Sequence, residues 1–188
     1  MKLARKPRIW FPGAIYHITA RGNRRSSLFH DQRDYRKYFA LLKETRTEFP
    51  FILHAYCLMP NHIHLLLETL ETPPSLIMKK WHASYALAFN KRHDLVGHLF
   101  QGRYGAKLVK NDEYFLTVSR YIHRNPLEAQ MVNKAEEYPW SSYAAYFFGR
   151  KNPYITTTKT FSYFSEPQRE QYRKFIEEGG QSPSDLTL

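Results

Sequence analysis

The sequence predicts an α+β fold, an antiparallel sheet covered by helices, on three observations. Apolar residues alternate in the β manner or run together over strand-length stretches at 14–20, 51–59 and 62–68. They recur at helical spacing between and after those stretches, and a Pro-Asn pair separates the second and third of them, the composition of a tight hairpin connection. "AIYHITA" (14–20) is the first strand, closed by the turn signal "RGN" and followed by Arg24 and Arg25. From Asp31, a helix N-cap, apolar side chains recur at Tyr35, Tyr38, Phe39, Leu42 and Phe49 before Pro50 stops the helix. "FILHAYCLM" and "HIHLLLE" then pair antiparallel across Pro60-Asn61. "TPPS" (72–75) opens a second helix running through Ile77, Trp81, Tyr85 and Ala88 to Arg92, with proline at its start. The glycine-punctuated "GHLFQGRYGAKLV" (97–109) ends in a short strand. Asp112 caps a third helix reaching Arg124, and Asn125-Pro126 ends it because the residue before proline is pushed out of helical geometry.

The order β-α-β-β-α-β followed by another helix is the ferredoxin-like split pattern. Residues 1–126 are expected to form this domain, with 127–180 packed on it as an extension and 181–188 as a flexible tail. The extension holds "YPWSSYAAYFF", whose Trp140 reads as a core anchor, and a final helical pattern in "EPQREQYRKFIEEGG". With 188 residues and 43% hydrophobic content, the chain can build a core without staples. Its single cysteine, Cys57, has no disulfide partner and reads as a buried structural thiol. No apolar run approaches the ~20 residues needed to span a bilayer, and the basic start lacks a signal peptide's apolar stretch. A cytoplasmic protein with no membrane partner is therefore expected. Lys plus Arg number 28 against 17 Asp plus Glu, a net charge of +11, and 16% of residues are aromatic. That balance points to nucleic acid, since excess cation attracts phosphate backbones and aromatic rings offer platforms for unpaired bases.

"PNHIHLLLE" (60–68) is the stretch richest in chemistry. Alternation puts His62 and His64 on one face of their strand and Ile63, Leu65 and Leu67 on the other. The apolar set can cover helices, while two neutral imidazoles side by side suit a divalent metal. A third ligand could come from a helix across that face. The helix beginning at Asp112 has Phe115, Val118 and Ile122 as its apolar stripe, with Tyr121 and Asn125 one turn apart beside it if the last turn persists. An Asn carbonyl oxygen can ligate a metal, but spacing alone does not select Tyr121 over Tyr114 or Tyr104 as the reactive phenol among fourteen tyrosines.

"AYCLMPNHIHLLLE", "GHLFQGRYGAKLV", "RYIHRNPLEAQMV" and "YPWSSY", in this order and at these separations, closely resemble the REP-associated tyrosine transposases, a branch of the single-tyrosine HUH nucleases. The early "RGNRRSSLF" also looks like that family's segment after the first strand. The resemblance implies that His62, His64 and Asn125 hold Mg2+ or Mn2+ and that Tyr121 is the nucleophile. It implies a metal-dependent, single-strand-specific DNA endonuclease and strand transferase in the bacterial nucleoid, acting on hairpins of repetitive extragenic palindromes through a 5′-phosphotyrosine link. A phenol ordinarily titrates near pH ~10, so its attack at neutral pH requires loss of the proton, and no general base is named by the sequence. Arg21, Asn23, Arg24, Arg103 and Lys107 lie in basic polar stretches suited to DNA contacts, as do Arg120 and Arg124 beside the tyrosine. His54 and His123 read as structural or DNA-proximal. Two alternatives stand beside this reading, a replication-initiator or relaxase-like nuclease, against which the element order argues, and a domesticated DNA-hairpin-binding module without catalysis; the sequence is compatible with a monomer and with a homodimer.

Overall fold

The computed structural model describes residues 9–180, so the expected tail at 181–188 lies outside the described residues. Four strands form one antiparallel sheet in the order β2-β3-β1-β4: β1 (Ile15–Arg21), β2 (Phe51–Met59), β3 (His62–Thr69) and β4 (Gly105–Leu108). Helices α1 (Gln32–Glu48) and α2 (Pro74–His93) cover one face. The third, α3 (Asp112–Glu128), lies on the other, against β2 and β3. The chain is thus α+β with the ferredoxin-like connection order.

Side-chain alternation builds this arrangement. Ile18 of β1 and Ile63, Leu65 and Leu67 of β3 are fully buried in the core shared with α1 and α2. Ala55, Cys57 and Leu66, on the opposite face, pack against Phe115, Val118 and Ile122 of α3. Asp31 caps α1 by accepting from the backbone N–H groups of Arg33 and Asp34, as its position implies. Pro74 begins α2 in its first turn, and Asp94 ends that helix in the left-handed conformation.

Two expectations about α3 are corrected. Its N-cap is Asn111, whose side-chain oxygen accepts from the Tyr114 N–H at 2.8 Å, while Asp112 takes the first helical position, where its charge faces the positive end of the helix dipole. The helix also does not stop at Asn125; it runs through Pro126 to Glu128. Pro126 withholds the hydrogen bond due to the Ile122 carbonyl. The following turn still closes, through Ala129 N–H to Asn125 O and Met131 N–H to Pro126 O, both 3.0 Å or shorter. Burial of both Asn125 and Pro126 outweighs the local preference against helix before proline. Asn125 consequently remains one helical turn from Tyr121.

Residues 127–180 continue through a short 3-10 turn (Ala135–Glu137), α4 (Tyr143–Phe148), α5 (Thr158–Phe161) and α6 (Gln168–Glu177). Their own core centres on Tyr143, Tyr146, Tyr172 and Ile176. Leu58 N–H bonds to Trp140 O, and Ser142 N–H to Tyr56 O, so this segment pairs with the outer edge of β2. Trp140 stacks on Tyr35 of α1 at 4.1 Å between ring centres. His123 is fully buried between Tyr172 Oη at 2.6 Å and Ser142 Oγ at 2.7 Å, tying α3 to α6 and to the β2 edge. Burial lowers its pKa to about 3, so it is neutral.

Candidate functional site

Strand register decides which polar residues share the face beneath α3. Antiparallel partners lie on the same face, so three rows form: Arg21 with His62, Thr19 with His64 and Cys57, and His17 with Leu66 and Lys107. His62 Nε2 lies 3.3 Å from Asn125 Oδ1 of α3. The Tyr121 ring stands edge-on to His64, 5.2 Å between centres, and 5.8 Å from His17. Thr19, Arg21, His62, His64, Arg103 and Tyr121 line a cavity of about 400 Å³ at this end of the sheet.

Each imidazole is held by a neighbour. Asn61 Oδ1 lies 2.7 Å from His62 Nδ1 and accepts its proton, which leaves the Nε2 lone pair facing the Asn125 oxygen. In that tautomer two electron-pair donors face each other, an arrangement that could hold a cation. His64 Nδ1 lies 3.1 Å from His17 Nε2, both rings nearly buried. Burial, with lesser contributions from the neighbouring His17 and His62, holds the His64 pKa well below its ordinary value. Burial lowers His62 too, against the opposing effect of Asn125, and takes His17 down to about 4, with Lys107 adding to the shift. All three are neutral at pH 7, the protonation state in which imidazole binds a metal. Two imidazole nitrogens and an amide oxygen form a donor set that fits a hard-to-borderline divalent ion with room for water or phosphate oxygen.

The predicted polar residues divide. Arg21 and Arg103 are exposed and line the cavity. Lys107 projects from the same sheet face with its ammonium 4.7 Å from the Tyr114 ring centre. Asn23 lines a neighbouring cavity, and Arg24 is exposed in a tight turn at φ 51°. Arg120 and Arg124 do not line the 400 Å³ cavity. The first covers the Phe175 ring, and the second donates to Ile176 O at 2.7 Å, so both hold α6. His54 pairs with Glu68 at 2.8 Å, away from the other histidines.

His17, and Asn61 in any role beyond the hairpin turn, were not among the site residues read from the sequence. The signal for His17 was present in "AIYHITA", where Tyr16 and Ile18 in the core force His17 and Thr19 onto the face that carries His62 and His64. Asn61, beyond shaping the turn, sits where its side chain reaches back to His62. Among the described residues His30, Asp34 and His93 also cluster. There the Asp34 carboxylate already accepts from Arg92, His93 and the His30 backbone, so the group ties α1 to α2.

The fold and the histidine–tyrosine face define the class, an α+β protein with its polar chemistry gathered under a helix outside the ferredoxin-like unit. The family described as Transposase IS200 like matches residues 11–125, from the approach to β1 to the residue before Pro126, and the chain belongs to that family of DNA-processing transposases. A Haemophilus influenzae protein named "Putative REP-associated tyrosine transposase" is 25% identical over 112 residues, 54% of this chain and 64% of that one. A REP-associated tyrosine transposase solved with a REP hairpin superposes with a TM-score of 0.67 at 19% identity, over 79% of this chain and 87% of the other, and shows the same fold. Among the described residues no helix is long and apolar enough to cross a membrane.

Proposed function

We propose that the chain is a metal-dependent, single-strand-specific DNA endonuclease and strand transferase of the REP-associated kind. The observation that carries this reading is the meeting of His62, His64, Asn125 and Tyr121 at one end of the sheet, from two elements nearly sixty residues apart in sequence. His62 and His64, through Nε2, and Asn125, through its amide oxygen, would hold Mg2+ or Mn2+. When bound, the ion supplies Lewis-acid stabilisation to a nonbridging oxygen of the scissile phosphate.

The chain's own residues do the rest. Tyr121 Oη attacks phosphorus as its proton is lost; the bond to the 3′-oxygen breaks, and that oxygen leaves as a hydroxyl after taking a proton. The product is a 5′-phosphotyrosine. Attack by another 3′-hydroxyl on that phosphorus restores the Tyr121 phenol and joins the strands, so bond energy is retained in place of hydrolysis. Arg21 and Arg103, at the cavity wall, orient the phosphate and offset its charge. The solved relative is bound to a REP hairpin, which supports a hairpin with unpaired flanks as the substrate here.

Incubation with a labelled REP-type hairpin and Mn2+ tests this. A denaturation-resistant protein–DNA adduct is expected, abolished by Tyr121→Phe and by chelation. An adduct that persists in Tyr121→Phe would move the nucleophile elsewhere, and hairpin binding with no adduct in wild-type protein would favour a binding module without chemistry.

A further inference from the structure

A second group of metal-type donors lies across the sheet from Tyr121. His30 sits at the end of the connection from β1 to α1, Asp34 in the first turn of α1, and His93 at the end of α2. Each offers one ligand atom, and the three atoms lie within 4.8 Å of one another. Because α1 and α2 cover the face that carries Ile63, Leu65 and Leu67, the sheet separates this group from His62 and His64.

The spacing is close to what an ion requires. Donors placed tetrahedrally about zinc, each ~2.0–2.2 Å from it, stand about 3.3–3.6 Å apart. His93 Nε2 is 3.0 Å from Asp34 Oδ2, and the exposed His30 side chain is free to close the remaining distance. Asp34 is fixed: its side chain is 3% exposed, Oδ2 accepts the His30 backbone N–H at 2.8 Å, and Arg92 donates to Oδ1. Since each carboxylate oxygen can accept more than one bond, Oδ2 retains a lone pair for an ion in the place of the His93 hydrogen. Phe89, one turn before His93, packs against both imidazoles and holds their centres 4.4 Å apart.

The charge suits a cation as well. Arg92 also donates to both oxygens of Asp31, so one guanidinium stands against two carboxylates, and with neutral imidazoles one negative charge is left over. Two nitrogens and one oxygen match zinc, which takes mixed imidazole–carboxylate sets with water in the fourth place, whereas magnesium favours oxygen ligands.

We propose that His30, Asp34 and His93 form a Zn2+ site that clips the β1–α1 connection to the C-terminal end of α2. The ion takes the place of the hydrogen between His93 Nε2 and Asp34, that hydrogen passes to Nδ1 of the same ring, and His30 becomes a third attachment. The site is separate from the donor set beside Tyr121 and serves the fold, steadying the segment that follows Arg24 and Arg25; it does not depend on the chemistry proposed for Tyr121.

The test uses untagged full-length protein carrying His62→Ala and His64→Ala, so that the other donor set is removed, with melting temperature reporting its folding. Zn2+ is titrated by calorimetry, and Co2+ serves as a coloured stand-in whose visible absorption is strong in a tetrahedral site. One equivalent of Zn2+ is expected, with a tetrahedral Co2+ spectrum and a rise in urea midpoint on adding Zn2+. His30→Ala, at an exposed position, should leave the metal-free urea midpoint unchanged, weaken Zn2+ binding by at least ~10- to 100-fold and abolish the rise. His93→Gln, which keeps an N–H for Asp34, should do the same to binding. No Zn2+ binding by the parent protein, or equal affinity in the parent and both variants, overturns the site. A loss in His93→Gln alone removes His30 from the ligand set and overturns the clip.

Discussion

Replacing His17 tests whether the site is organised by its second layer of contacts. The His17 imidazole touches His64 at 3.1 Å between Nε2 and Nδ1, and both rings are more than nine-tenths buried. If His64 binds metal through Nε2, its proton must sit on Nδ1 and be donated to His17. His17→Ala removes that acceptor, and the buried N–H loses its partner at ~1–3 kcal/mol. Loss of such an outer hydrogen bond to a metal-binding histidine weakens metal affinity by ~10- to 100-fold, or ~1.4–2.7 kcal/mol, and the two ranges agree. Water entering the space left by the ring brings the loss toward the lower end. His17→Gln places an amide oxygen near the same point and should recover most of the affinity. Free Mn2+ followed by electron paramagnetic resonance during titration reads this without DNA or turnover. Wild-type Mn2+ affinity in His17→Ala, or an equal loss in Ala and Gln variants, would refute the tautomer argument.

Two further expectations concern stability. His82 and His123 are buried and neutral, each lowered by burial to about 3, while an unfolded histidine titrates near ~6.5. Below that pH the unfolded chain takes up protons that the folded one refuses, so their stabilisation is complete above ~6.5 and declines as pH falls toward 3. At pH 5.5 the loss is ~1.4 kcal/mol per group, about 3 kcal/mol together. Urea midpoints at pH 7.5 and 5.5 should show it, with a smaller difference in His123→Gln, and equal midpoints in wild-type protein would sink the claim. Gly22 has an ordinary backbone at φ −64°, yet a Cβ there would overlap the Ser26 carbonyl oxygen. Gly22→Ala should therefore cost ~1–3 kcal/mol and displace the turn bearing Asn23, Arg24 and Arg25; an unchanged urea midpoint would show that the turn yields freely.

The sequence by itself determined the elements and their faces. Two-residue alternation in "HIHLLLE" separated His62 and His64 from Ile63, Leu65 and Leu67, and the stripe Phe115, Val118, Ile122 turned α3 toward the sheet with Tyr121 beside it. These are local periodicities, and local periodicity survives without knowledge of the partner. What sequence could not weigh was a local preference against a nonlocal gain. Asn125-Pro126 reads as a helix end, but burial carries α3 on to Glu128 and keeps Asn125 beneath His62. Arg120 and Arg124 look like DNA contacts from their charge, yet they reach α6, which is placed by His123, Tyr172 and the β2 edge. His17 joined the site through strand register, because only the pairing of β1 with β3 brings "AIYHITA" and "NHIH" side by side. Tertiary structure decided these cases for one reason: each depends on a contact whose partner is far away in the chain, and no spacing within either segment records it.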